Sequence, residues 1–129
     1  RSINFETSVL LIEDSPADQE LAKYALEDYD DTIEVLVAFD GAEALELLKL
    51  QDTAPDLIFL DINMTFMNGW EFLESIKSLK LSKHLNIYMT SSSIDPEDYK
   101  RAEADLNVKE FIAKPLSTKK LRDIINHYK

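Results

Sequence analysis

Four short apolar stretches of the sequence each end in a polar residue that could take part in chemistry. Glu13 and Asp14 follow SVLLI, Asp61 follows LIFL, Thr90 follows IYM and Lys114 follows EFIA. If these stretches are parallel strands of one sheet, their carboxyl ends lie at the same edge and the five side chains converge there. Three carboxylates repel one another unless a cation is present, and one lysine cannot offset all three. The pattern therefore predicts a divalent cation site, and Mg²⁺ suits carboxylates, waters and an incoming phosphate.

A metal, a lysine and a hydroxyl around one carboxylate suit the transfer of a phosphoryl group. The metal and Lys114 would neutralise phosphoryl oxygens, Thr90 would donate a hydrogen bond to one of them, and Asp61 would be the nucleophile. Taken singly, each residue has a commoner explanation, since acidic pairs, hydroxyl runs and Lys-Pro usually belong to turns and helix caps. Their joint placement at the ends of strands favours the chemical interpretation.

The elements that would position these residues alternate between strand and helix. Strands are predicted at 8–12, 33–38, 57–60, 87–89 and 110–113. Each is followed by helix-forming sequence, with capping signals at Ser15, Asp40, Asp95 and Ser117. The third helix is predicted from about Gly69 by the helical spacing of its apolar residues. The strand runs are rich in Val, Ile and Leu without polar alternation, so both faces of the sheet are predicted to be buried. We therefore expect an α/β fold with a doubly wound, five-stranded parallel sheet and five helices.

Composition limits the class of protein. The chain has 129 residues, of which 45% are hydrophobic, enough for one domain with one core. Its longest apolar run, 35–39, has five residues, whereas a membrane-spanning helix needs about 20. The net charge of −11 argues against direct binding to nucleic acid or to an anionic membrane. The lack of cysteine excludes thiolate chemistry and suits the cytoplasm. We predict one cytoplasmic domain over 1–129, with 1–7 as an N-terminal extension.

Four motifs together resemble the receiver domains of two-component response regulators. They are LLIEDSPAD, LIFLDINMTFMNGWEFL, YMTSSS and EFIAKP, and the resemblance extends from about Ser8 to Tyr128. The combination is highly specific, because it joins an acidic pair, an Asp with Met at +3 and Gly at +8, a strand-end Thr and Lys-Pro. The resemblance implies a flavodoxin-like sheet with the strand order 2-1-3-4-5.

The resemblance also implies how the acidic residues act. Asp61 would accept a phosphoryl group from a phosphohistidine on a sensor histidine kinase or a histidine phosphotransfer protein. Glu13 and Asp14 would hold Mg²⁺ or Mn²⁺ together with Asp61 and the backbone carbonyl of Asn63. The protein would then be a signalling switch and not an enzyme, since it would transfer a phosphoryl group only to and from itself.

Signalling and its duration would depend on further residues that match the family. Thr90 would bind a phosphoryl oxygen, and Lys114 would pair with the phosphoryl group or its acceptor. Thr90 would also couple to Phe111, the aromatic switch position, and so alter the face made by the fourth helix, fifth strand and fifth helix. A downstream protein of unknown identity would bind that face. Asn63 and Ser92 would line the path of the water that hydrolyses the acyl phosphate.

Three positions depart from the usual receiver pattern. Thr65 stands where receivers usually carry Pro, which predicts a less rigid loop after the third strand. Phe111 replaces the commoner Tyr, and Glu13 occupies a position that is more often Asp, from which its longer side chain would reach a metal through water. The peptide bond between Lys114 and Pro115 is often cis in the family.

Other functions fit parts of the sequence. LIFLDINMT faintly resembles the Asp-x-Asp-x-Thr motif of haloacid-dehalogenase-type phosphatases, but Asn63 replaces the second Asp and the motif follows the third strand instead of the first. A pseudo-receiver that binds partners without phosphorylation would use the same fold. A flavin-binding module is disfavoured, because Glu-Asp-Ser-Pro would repel a phosphate. No helix-turn-helix follows the last predicted helix, so we expect a stand-alone receiver or one excised from a longer protein.

Overall fold

The computed structural model describes residues 7–50, 55–79, 85–92 and 95–128. Within these ranges, strands and helices alternate in the order β1 (Thr7–Ile12), α1 (Pro16–Tyr29), β2 (Ile33–Ala38), α2 (Gly41–Leu50), β3 (Leu57–Asp61), α3 (Gly69–Ile76), β4 (Ile87–Ser91), α4 (Pro96–Glu103), β5 (Val108–Ala113) and α5 (Thr118–His127). The strands form one parallel sheet in the order β2-β1-β3-β4-β5. The predicted doubly wound, flavodoxin-like α/β architecture is confirmed.

Both faces of the sheet are buried at its central strands β1, β3 and β4, as the apolar sequences predict, whereas the edge strands β2 and β5 are partly exposed. On β1, Leu10 and Ile12 pack in a cluster with side chains of α2, α3 and α4. Val9 and Leu11 pack in a second cluster with side chains of α1 and α5. Successive residues of a strand point to opposite faces, so the continuous apolar run supplies both clusters. The helices therefore cover the two faces, and the carboxyl edge of the sheet is left for polar side chains.

The predicted helix starts are confirmed by capping hydrogen bonds. The side chains of Ser15, Asp40, Asp95 and Ser117 each accept a hydrogen bond from a backbone N–H in the first turn of α1, α2, α4 and α5. Such bonds satisfy N–H groups that have no partner within the helix. No helix within the described ranges has the length and apolar character needed to cross a bilayer.

Strands β3, β4 and β5 extend beyond the apolar runs that predicted them. Asp61 is the last residue of β3, β4 continues to Ser91, and β5 begins at Val108 instead of residue 110. The reason is that backbone pairing continues where the apolar run stops: Asp61 lies opposite Thr90, and Ser91 lies opposite Ala113. Asp61 and Thr90 are therefore held by the ladder itself.

Two further predicted boundaries are wrong. Thr7, assigned to an N-terminal extension, is instead the first residue of β1, where it pairs with Ile33 and is 2% exposed. The remainder of that predicted extension, 1–6, lies outside the described residues. The helical spacing of Phe72, Leu73, Ile76 and Leu79 predicts that the third helix reaches Leu79, but α3 ends at Ile76. The N–H groups of Ser78 and Leu79 donate to carbonyls three positions earlier, at 3.3 and 3.1 Å, which tightens the final turn.

Candidate functional site

Three carboxylates from two neighbouring strands converge at the carboxyl edge of the sheet. Glu13 and Asp14 follow β1, and Asp61 ends β3, the strand that pairs with β1. One oxygen from each of the three lies within 4.8 Å of the others. Asp61 is 4% exposed and Glu13 is 8% exposed, whereas Asp14 is half-buried. The edge therefore gathers three acidic groups, as the sequence predicts.

Lys114 supplies a positive charge beside this cluster. Its ammonium group forms an ion pair with Glu13 and lies 3.4 Å from Asp18 and 3.5 Å from Asp61. Its backbone N–H donates to the carbonyl of Ser91 at 2.8 Å, which fixes the residue just after β5. The peptide bond to Pro115 is cis. The sequence did not predict the contact with Asp18, which comes from α1.

The charges at the site alter two pKa values. Burial, followed by the negative charge of Glu13, raises the pKa of the Asp61 carboxyl to about 7, although Lys114 acts in the opposite direction. Burial lowers the pKa of the Lys114 ammonium, but hydrogen bonding to Glu13 and the charge of Asp61 outweigh this, so its pKa lies above the ordinary value. One lysine therefore does not offset the local excess of negative charge.

Backbone donors and one buried amide orient the acidic residues. The N–H of Ser15 donates to Glu13 Oε2 at 3.0 Å, and the N–H of Asn63 donates to Asp61 Oδ1 at 3.3 Å. The side-chain amide of Gln19, a buried residue of α1, donates to the carbonyls of Glu13 and Ala38 at 3.4 and 3.2 Å. No local pattern in the sequence identifies Gln19, because its role depends on which face of α1 meets the sheet.

Asp14 is held by Thr65, which stands where the resemblance to receivers leads one to expect Pro. The backbone N–H and the hydroxyl of Thr65 both donate to Asp14 Oδ2, at 3.1 and 3.2 Å. A proline at position 65 would have neither donor. Thr65 in place of Pro predicts a less rigid loop, but its two donors also connect the loop after β3 to the turn after β1.

The donor set fits a hard divalent cation. Mg²⁺ binds oxygen ligands at 2.0–2.1 Å, so two of its ligands lie no more than about 4.2 Å apart. The three carboxylate oxygens lie within 4.8 Å of one another, so small side-chain movements would bring them into that range. A cation there would offset the charge that Lys114 leaves uncompensated.

The predicted switch residues lie next to this cluster and in the interior. Thr90 is 5% exposed and lies opposite Asp61 in the β3–β4 ladder. Phe111 is 8% exposed, and its ring stacks on that of Tyr99 from α4, with ring centres 6.0 Å apart and planes inclined by 18°. The aromatic position of β5 is therefore turned into the protein and covered by α4.

Comparison with known families identifies the family to which this chain and its acidic site belong. A family model described as the response regulator receiver domain matches residues 9–126. The chain belongs to this family. Receiver domains are phosphoacceptor switches that receive phosphoryl groups from histidine kinases or phosphotransfer proteins, and they bind Mg²⁺ at an acidic pocket. Because the match covers nearly the whole chain, the faint phosphatase motif around β3 does not reflect membership of that other family.

Individual relatives agree with this assignment. The chain is 30% identical over 117 residues to the sensory transduction protein LytT of Enterococcus faecalis, a match covering 91% of this chain and 46% of LytT. The chain thus spans about half the length of that relative. A two-component response regulator from Cytophaga hutchinsonii superposes with a TM-score of 0.82 at 30% identity, covering 99% and 98% of the two chains. The phosphorylated cyanobacterial phytochrome response regulator RcpA gives 0.75 at 32% identity, covering 94% and 89%.

The two residues predicted to tune hydrolysis lie at the rim of the receiver's acidic site. The side-chain amide of Asn63 donates to the hydroxyl of Ser91 at 3.4 Å, while its backbone N–H contacts Asp61. Ser92 is exposed and lines a cavity of about 500 Å³ that also borders Lys114 and the apolar side chains between α1 and α5. Their influence on hydrolysis, and the Asn63 carbonyl as a metal ligand, remain predictions.

Proposed function

We propose that this receiver accepts a phosphoryl group on Asp61 from a histidine kinase or a histidine phosphotransfer protein. The main support for this proposal is the convergence of Asp61 with Glu13, Asp14 and Lys114 at one edge of the sheet. An Asp61 oxygen would attack the phosphorus, the bond from phosphorus to the imidazole nitrogen would break, and the nitrogen would keep the electron pair. The product is an acyl phosphate on Asp61.

The carboxylates would hold the divalent cation that this reaction needs. Glu13, Asp14, Asp61 and the backbone carbonyl of Asn63 are the proposed ligands, with Mg²⁺ or Mn²⁺ as the ion. When bound, the ion supplies neutralisation of the phosphoryl oxygens. Lys114 would add a second positive charge. Because the Lys114 ammonium lies 3.5 Å from Asp61, it is close enough to contact a phosphoryl group there.

The switch would run from Thr90 to Phe111. A phosphoryl group on Asp61 would offer an oxygen to the Thr90 hydroxyl on the neighbouring strand. Movement of Thr90 would change the space next to Phe111, whose ring is now covered by Tyr99 of α4. Rearrangement of that stacked pair would alter the face formed by α4, β5 and α5, to which a downstream protein would bind. In this proposal Asn63 and Ser92 set the lifetime of the acyl phosphate.

Incubation with a small-molecule phosphodonor and Mg²⁺ tests the acceptor. We expect one phosphoryl adduct on the parent protein by intact mass spectrometry, because Asp61 is the single proposed acceptor. Asp61→Asn is expected to abolish the adduct, since an amide cannot form an acyl phosphate. The matched control is Asp18→Asn, which also removes a carboxylate near Lys114 but leaves Asp61 in place; it should keep the adduct. An undiminished adduct in Asp61→Asn would refute the assignment, and no adduct on the parent would favour a pseudo-receiver.

Lys114→Ala tests, separately from metal binding, whether Lys114 transmits phosphorylation of Asp61 to α4 and β5. We expect this variant to bind Mg²⁺, because the three carboxylates remain, but to lose most of the amide chemical-shift changes that phosphorylation causes in α4 and β5. Lys119→Ala is the control, since Lys119 is exposed and pairs with Asp123 of the same helix. The measurement is a pair of ¹H–¹⁵N correlation spectra, without and with phosphodonor. Full-sized shifts in Lys114→Ala would show that the lysine does not transmit the signal.

A further inference from the structure

The contact between Thr65 and Asp14 connects two segments that are distant in sequence. Thr65 lies in the loop after β3, and Asp14 lies 51 residues earlier, directly after β1. Two donors of one residue converge on a single carboxylate oxygen, Oδ2, at 3.1 and 3.2 Å. Hydrogen bonds from neutral donors to a carboxylate are charge-assisted and stronger than those between neutral groups. This pair is therefore well suited to fix the orientation of the Asp14 side chain.

Asp14 needs such a contact more than its two acidic neighbours do. Glu13 and Asp61 are buried and lie beside the Lys114 ammonium. Asp14 is half-buried and faces their negative charges. Like charges a few ångströms apart repel, and a partly exposed side chain can relieve the repulsion by rotating towards water. The two hydrogen bonds from Thr65 oppose that rotation.

The loop that carries Thr65 is itself fixed at several points. The N–H of Gly41, at the start of α2, donates to the carbonyl of Met67 at 3.3 Å. The Met67 side chain packs so closely on Gly41 that a Cβ there would come within 2.8 Å of Met67 Cγ. Asn68 then forms a capping box at the start of α3. Thr65 is therefore presented to Asp14 from an anchored segment, which limits the entropy lost when the two bonds form.

We infer that Thr65 is a positioning residue for the divalent cation, holding Asp14 Oδ2 so that the Asp14 side chain stays at the carboxylate cluster. This inference rests on the proposed function, because it assumes that Asp14 is a metal ligand. Residues that hydrogen-bond to a ligating carboxylate typically change metal affinity by about 10–100-fold when they are removed. Thr65 does not touch the metal or the phosphoryl group in this scheme; it acts through Asp14.

Titration calorimetry with Mg²⁺ on three variants tests the inference. Thr65→Ser keeps both donors and should bind Mg²⁺ like the parent. Thr65→Val keeps the shape and the N–H but loses the hydroxyl, and should bind several-fold more weakly. Thr65→Pro loses both donors and should bind about 10-fold more weakly or worse. The graded order, with rescue by Ser, is not expected if Thr65 only stabilises the loop.

Thr32→Val is the matched control. Thr32 donates its N–H and hydroxyl to a single carboxylate oxygen, Asp30 Oδ1, at 2.8 and 2.6 Å, in the turn between α1 and β2 at the opposite edge of the sheet. The Thr32→Val variant should leave the Mg²⁺ affinity unchanged. Unfolding midpoints measured in EDTA identify any variant that is unstable. If Thr65→Pro is unfolded, the Mg²⁺ affinity of Thr65→Val is the deciding measurement.

The outcomes separate this inference from the proposed function. If the parent binds Mg²⁺ and Thr65→Val binds it equally well or better, the positioning role is wrong while the metal site stands. If the parent shows no saturable Mg²⁺ binding, the metal site and the role of Thr65 both fail. Weakened binding in Thr65→Val and Thr65→Pro, with unchanged binding in Thr65→Ser and Thr32→Val, supports the inference.

Discussion

The double variant Glu13→Gln/Asp14→Asn is expected to lose Mg²⁺ binding and, with it, Mg²⁺-dependent phosphorylation. Both changes keep the size of the side chains but replace two negative charges with neutral amides, which are poor ligands for a hard cation. Asp61 would then face the Lys114 ammonium 3.5 Å away, with no excess charge to attract a second cation. We expect the dissociation constant for Mg²⁺ to rise by at least ~100-fold, above the loss that follows removal of a residue behind the ligands.

The chain offers a closely matched control for this experiment. Glu27 and Asp28 form the same dipeptide near the end of α1, where both side chains are exposed. Glu27→Gln/Asp28→Asn changes the net charge by the same amount without touching the carboxylate cluster. It should therefore keep Mg²⁺ binding and the phosphoryl adduct. Saturable binding that persists in the Glu13 and Asp14 variant would mean that the metal lies elsewhere.

Asp61→Asn is expected to stabilise the metal-free protein at pH 8. The buried carboxyl has a pKa of about 7, against 3.8 as the ordinary value, mainly because burial disfavours its charged form. A rise of that size corresponds to at most about 4 kcal/mol of unfolding free energy once the group is forced to ionise. This figure already includes the attraction of Lys114, but the folded state can also relax around a buried charge, which lowers the cost of ionisation. We therefore expect a gain of about 1–3 kcal/mol, measured by denaturant unfolding in EDTA.

The gain should depend on pH in a defined direction. Between pH 3.8 and about 7 the folded state holds the Asp61 proton more tightly than the unfolded chain does, so the parent loses stability as pH rises through this window. Asn does not titrate. The advantage of the variant should therefore be small near pH 4 and reach its full size above pH 7. Mg²⁺ should stabilise the parent at pH 8, because a ligand of the folded state stabilises it, and should have much less effect on the variant.

Asp123→Asn is the control for the stability experiment, because Asp123 is exposed on α5. It should change the unfolding free energy little, and without the rise between pH 4 and pH 7. Destabilisation of Asp61→Asn at pH 8 would show that the carboxylate is stabilised in the metal-free fold, contrary to the raised pKa.

Much of the fold follows from local sequence signals. The apolar runs before Glu13 and Asp61 mark strands that are buried on both faces, and the capping residues Ser15 and Ser117 mark helix starts that the structure confirms. Parallel strands place their carboxyl ends together, so the convergence of the acidic residues could be predicted without coordinates. The strand order itself came from the family resemblance, since apolar periodicity does not specify which strands are neighbours.

Other features depend on tertiary contacts that no local pattern contains. The contact of Thr65 with Asp14 joins residues 51 positions apart, and that of Lys114 with Asp18 joins residues 96 positions apart. The ends of the strands also depend on tertiary contacts, because pairing with Thr90 of β4 extends β3 to Asp61. Local sequence predicts which groups lie at the edge, whereas the packing of α1 and of the loop after β3 decides how each one is held.

Among the acidic residues at this edge, Asp61 is the one that we propose receives the phosphoryl group. The most direct test is to phosphorylate the parent protein with a small-molecule donor and Mg²⁺, reduce the acyl phosphate with borohydride, and sequence the peptides by tandem mass spectrometry. Reduction converts a phosphorylated aspartate to homoserine. We predict homoserine at position 61 and an unchanged aspartate at position 14. Reduction at any other acidic residue, or a stable adduct with no reduced residue at all, would contradict the claim.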